Sequence, residues 1–66
     1  MIKNRVYDLR IAKRITQEEI AKELQVTRQT IISLEKNKYI PSLEMGFKVA
    51  RFFNKTIEDV FEFEET

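Results

Sequence analysis

Sixty-six residues are enough for one compact domain spanning 1–66 and too few for a second core. The absence of Cys and His removes disulfides, thiolate or imidazole metal sites and histidine acid–base catalysis, so no metal, cofactor or enzymatic activity is expected. The net charge of +1 hides a division: residues 1–55 hold all twelve Lys and Arg against six acids, and the tail holds Glu58, Asp59, Glu62, Glu64 and Glu65. A basic body with an acidic end suits a protein that turns one side to a polyanion; the alternative is ordinary solvated charge.

One Gly and one Pro among many helix formers predict an all-α fold with tight connections, in which capping residues mark the breaks. Asn4 can cap a first helix through about Lys13, with Val6, Leu9 and Ala12 or Lys13 inward. Thr16 with Glu19 three positions later is a capping box, so a second helix opens at Gln17 and carries Ile20, Ala21 and Leu24 on its apolar face. Gln25, Val26 and Thr27 separate it from a third helix over about Arg28 to Lys36, capped by Thr27 and ended by Asn37. After a loop at Tyr39, Ile40 and Pro41, Ser42 caps a fourth helix through about Phe53, with Leu43, Val49, Ala50 and Phe53 inward and Gly46 as a weak point. Thr56 caps a short fifth helix containing Ile57 and Val60. Phe61 and Phe63 then alternate with Glu62 and Glu64, and Met1 to Asn4 alternates weakly, which admits a small terminal antiparallel β-ribbon. No apolar run approaches the roughly 18 residues of a membrane span and no export signal opens the chain, so a cytoplasmic protein without a membrane partner is expected.

Two short helices across a three-residue turn, embedded among three others, are the requirement of a helix-turn-helix reader of double-stranded DNA. On a helical wheel centred on Ile31, Leu34, Glu35 and Thr27 fall inward, Gln29, Ser33 and Lys36 outward, and Arg28 and Ile32 on one flank. Arg28 can bind guanine and Gln29 adenine bidentately, Ser33 allows close approach, and Ile32 either meets a thymine methyl or packs on the fourth helix. These four are the candidate base contacts, with phosphate or solvent as the alternative for Arg28. Gln17 at a helix start, Thr27, Thr30, Lys36, Lys38 and Tyr39 are the candidate backbone contacts, with Lys13 and Arg14 weaker. Phe47, Phe52, Phe61 and Phe63 exceed what so small a core needs. They either close the core around the termini or form a homodimer interface, and a two-fold dimer would read a pseudo-palindrome.

The stretch TQEEIAKELQVTRQTIISLEKNKYIPSLEMGFKVARFF, continued by TIEDVF, resembles the phage repressor and Cro class of helix-turn-helix proteins, the XRE family. The resemblance spans about residues 4–61 and implies a five-helix regulator; with no effector surface or ligand-sensing domain appended, repression by occlusion and no small-molecule ligand are the simpler expectation. It implies DNA contact at Gln17, Arg28, Gln29 and Ser33 and an internal ion pair between Arg10 and Glu35. The loop EKNKYIPS and the acidic-aromatic tail also resemble the stand-alone dimeric cytolysin repressor type, with its terminal β-ribbon. Gln25 and Asn37 stand where the family usually has Gly, which implies non-glycine residues at positive φ. A module of the same fold that binds a protein, antitoxin-like or scaffold, is the competing reading, since fold alone does not settle function.

Overall fold

The computed structural model describes residues 1–65. Their elements run β1 (Ile2–Asn4), α1 (Val6–Ala12), α2 (Gln17–Leu24), α3 (Arg28–Glu35), α4 (Leu43–Phe52), α5 (Ile57–Val60) and β2 (Phe61–Phe63). The five helices and the ribbon match the expected all-α architecture. β1 and β2 pair antiparallel, with Ile2 opposite Phe63 and Asn4 opposite Phe61. This two-stranded ribbon would be marginal alone. Here Phe61 packs on the core and the Arg5 amide donates to the Val60 carbonyl at 2.8 Å, which ties the ribbon to the helices.

Four helix starts are built by one device. Thr16, Thr27, Ser42 and Thr56 take extended backbone, and each hydroxyl accepts from the amide three residues on. Thr16 and Thr56 complete full capping boxes with Glu19 and Asp59. Helix α1 departs from this pattern: Asn4 lies in β1, Arg5 holds the cap position, and the Asn4 oxygen accepts from the Val6 amide at 3.0 Å.

The helix ends also share one device. Arg14, Gln25, Asn37 and Asn54 take positive φ near 58°, and the amide after each reaches back to a carbonyl one turn earlier, as Val26 does to Ala21 at 3.0 Å and Lys38 to Ser33 at 3.0 Å. This left-handed closure satisfies orphan carbonyls and normally selects Gly. None of the four is Gly. Gln25 and Asn37 behave as the resemblance implied, whereas Arg14 and Asn54 were not foreseen.

The core gathers Val6, Ile20, Leu24, Ile31, Leu34, Val49, Phe53 and Val60 from all five helices. Two inward stripes differ from expectation. In α1 Arg10 is buried beside Val6, while Ala12 and Lys13 are exposed, because Arg10 has partners that satisfy its charge. In α4 Met45 and Gly46 join Val49, Ala50 and Phe53, while Leu43 is 73% exposed. Leu43 sits two residues before Met45, about 200° round the helix. Gly46 lies within α4 as the weak point the sequence suggested: a Cβ there would meet Ile57 Cδ1 at 3.4 Å, an ordinary contact, so the seat of α5 does not demand glycine.

Candidate nucleic-acid interface

The three-residue turn sets α3 across α2, and Ile31 and Leu34 are fully buried on its inner face. Its outer face carries Arg28 and Gln29, both exposed, and Ser33 and Ile32, both half-buried. Thr27 is exposed rather than inward, because the wheel does not apply to a cap in extended backbone. Its hydroxyl accepts from the Thr30 amide at 3.2 Å and lies 3.0 Å from the Thr30 hydroxyl, so both threonines order the helix start. Ile32 is half-buried but is not among the side chains packed on the core, which leaves its methyls at the edge of the outer face.

Two concave surfaces flank this helix. One is lined by Thr27, Gln29, Thr30, Ser33, Lys38 and Tyr39, uniting base and backbone candidates. The other places Arg28 beside Arg14, Thr16 and Gln17 at the start of α2. Lys36 is exposed at the end of α3 but lines neither surface. Arg14, a weaker candidate in the sequence, reaches the second surface through its left-handed backbone, a conformation that no glycine or proline announces.

Positive charge outweighs negative on this side, where Glu18 is the one carboxylate among the described residues lining the two surfaces. Lys3 and Arg5 pair with Glu64 and Glu62 on the ribbon, and Lys48 pairs with Glu44 on α4. Among the described residues Arg14, Arg28, Lys36 and Lys38 form no ion pair. Glu62 and Glu64 of the acidic tail are thus engaged by Arg5 and Lys3, and such exposed pairs add little stability.

Behind the interface lies a buried network. Arg10 donates from Nε and Nη2 to the two oxygens of Glu35 at 2.7 and 3.1 Å, and from Nη1 to the Ile15 carbonyl at 3.0 Å. Both side chains are nearly closed to solvent, at 9% and 5% exposure. The Tyr7 ring lies 5.3 Å from the guanidinium carbon, adding a cation–π contact. The hydrogen bond to Glu35 raises the Arg10 pKa above its ordinary value, so the guanidinium stays charged. Gln17 Nε2 donates to Glu35 Oε1 at 3.1 Å, so its side chain is held by this network, a contact sequence reasoning did not foresee.

The four aromatic interface candidates divide. Phe52 stacks edge-on against Phe53 with ring centroids 5.0 Å apart, and Phe61 is half-buried on the core. Phe47 and Phe63 are 47% and 68% exposed. Ile40 and Leu43 are also exposed, and Ile40, Leu43, Ile2 and Phe61 line one apolar groove.

No helix among the described residues is long and apolar enough to cross a membrane. A helix-turn-helix family profile matches residues 6–60. An uncharacterised HTH-type transcriptional regulator from Methanocaldococcus jannaschii is 50% identical over 64 residues, covering 97% of each chain. The cryptic phage CTXphi transcriptional repressor RstR from Vibrio cholerae is 32% identical over 66 residues, all of this chain and 60% of that protein. The crystal structure of a candidate DNA-binding protein from Bacteroides fragilis superposes with a TM-score of 0.84 at 29% identity, covering 94% of this chain and all of the other. The chain belongs to the XRE type of the helix-turn-helix family, a family of DNA-binding transcriptional regulators rather than enzymes.

Proposed function

We propose that this chain is a cytoplasmic repressor that binds a pseudo-palindromic operator as a homodimer, with α3 in the major groove. The observation that carries this reading is the exposed pair Arg28 and Gln29 between two concave surfaces, with Gln17 and Arg14 on one side and Lys38 and Tyr39 on the other. Arg28, Gln29, Ser33 and the Ile32 methyls read base edges. Gln17, Thr27, Thr30, Lys36, Lys38 and Tyr39 set the register on phosphates. No small-molecule ligand is invoked, and occlusion of the promoter is the simplest action for a reader of this size.

The dimer reading rests on Ile40, Leu43, Phe47 and Phe63, large apolar side chains left exposed. They shift the interface from Phe52, which packs on Phe53, toward the start of α4 and the ribbon. Two copies joined there would present their α3 helices to half-sites about 34 Å apart, as in the dimeric cytolysin repressor type the tail resembles.

Selection from a random duplex pool, followed by fluorescence anisotropy over a salt series, tests DNA reading. Selective binding that weakens steeply with salt is expected, and salt-independent affinity would reject it in favour of a protein-binding module. Sedimentation of the protein alone and on its selected duplex tests the dimer. A single copy in both would reject it.

A further inference from the structure

Glu35 is the last residue of α3 and Gln17 the first of α2, so the 3.1 Å bond between them spans the two helices of the motif. The Arg10 fork already engages both carboxylate oxygens, and the Thr16–Glu19 box already caps α2. Neither the ion pair nor the cap requires Gln17. What the bond does is hold a long side chain in one orientation. One N–H of its carboxamide is committed to Glu35, and the other N–H and the oxygen remain for a ligand on the surface shared with Arg14 and Arg28. A side chain held in advance loses less rotamer freedom when it grips that ligand. Arg10 contributes by cancelling the charge of Glu35, so that a carboxylate can stand behind a phosphate-facing amide without repelling the phosphate.

We propose that Glu35 is a positioning residue for DNA binding: it orients the Gln17 carboxamide toward a phosphate and fixes that contact relative to the base-reading face of α3. This rests on the reading that Gln17 meets the DNA backbone. The buried network therefore has two outputs, the union of α1 with α3 and the aim of one side chain on α2.

The test is a double-mutant cycle of Gln17→Ala and Glu35→Gln, read by anisotropy on the selected duplex with each variant first shown to be folded by circular dichroism. Glu35→Gln leaves a single acceptor oxygen, which the Arg10 fork claims. Each single variant should weaken binding about 3- to 10-fold, and the double variant no more than either alone. In nitrogen–proton correlation spectra of the free protein, one Gln17 side-chain amide proton should lie downfield in the wild type and return to the free-amide position in Glu35→Gln. Losses that multiply in the double variant would overturn the positioning role and leave Gln17 as an independent DNA contact. An unaffected Gln17→Ala would overturn both the positioning role and the contact it serves. If Glu35→Gln does not fold, Glu35→Asp keeps the charge for Arg10 with a shorter reach and carries the same cycle.

Discussion

The Asn4 side chain donates to the Leu34 carbonyl at 2.8 Å and accepts from the Val6 amide at 3.0 Å, so one residue closes the start of α1 and braces the end of α3. It also donates to the side-chain oxygen of Asn37, the left-handed residue that ends α3, at 3.1 Å. Asn4→Ala removes all three bonds from a partly buried site. A loss of about 1–3 kcal/mol is expected, visible as a lower midpoint in thermal unfolding. A midpoint unchanged within error would show that water replaces these bonds without cost.

The four left-handed helix ends predict stabilisation by substitution. A non-glycine residue at positive φ costs roughly 1–2 kcal/mol, part of which glycine returns through its greater freedom in the unfolded chain. Gln25→Gly should raise stability by about 0.5–1 kcal/mol, read from the midpoint of urea unfolding. Asn54→Gly should gain less, since Asn tolerates this backbone region, and Asn37→Gly should gain nothing because it also removes the acceptor for Asn4. A lower midpoint in Gln25→Gly would show that the Gln25 side chain contributes more than its backbone costs.

The two capping boxes predict acid sensitivity. The Thr16 amide and hydroxyl hold the Glu19 carboxyl below its ordinary 4.5, and those of Thr56, aided by Lys55 and Arg5, hold Asp59 below 3.8. Both values are lower in the folded chain than in the unfolded one. Their stabilisation is therefore complete above the unfolded values and is lost as pH falls through the folded ones. Unfolding midpoints should be flat from neutral to about pH 5 and decline below it, with Glu19 contributing first. Glu19→Gln should flatten the upper part of that decline, and an identical acid profile would exclude the Thr16 box as its source.

Base-reading and phosphate-gripping residues should separate in DNA binding. Gln29→Ala and Arg28→Ala are each expected to cost about 1–3 kcal/mol on the selected duplex and little on random DNA. Lys38→Ala should weaken all duplexes alike and reduce the salt slope by about one unit. Equal losses on both DNAs for Gln29→Ala would move it to the phosphate group.

The sequence made the helix starts legible because Thr16, Thr27, Ser42 and Thr56 are strong caps placed directly before apolar periods. It also distinguished the outward Gln29 from the inward Ile31 through helical periodicity alone. The helix ends were less visible, since Arg14 and Asn54 close helices without the glycine that usually signals closure. Leu43 misled because an apolar residue just after a cap reads as core, and only the seat of Met45 and Gly46 shows which way α4 faces. The bond between Gln17 and Glu35 joins positions 18 apart, a proximity set by the crossing of two helices rather than by either one's pattern.

The ribbon has a kinetic meaning. Pairing Ile2 with Phe63 closes almost the entire chain into a loop, whereas α2 and α3 meet across three residues. Long closures form slowly and local contacts quickly, so the α2–α3 pair can assemble before the strands meet. The ribbon is then the natural place for the native protein to open locally, and when it does Asn4 lets go of the end of α3. The stiffness of α3 is thus linked to the pairing of β1 with β2.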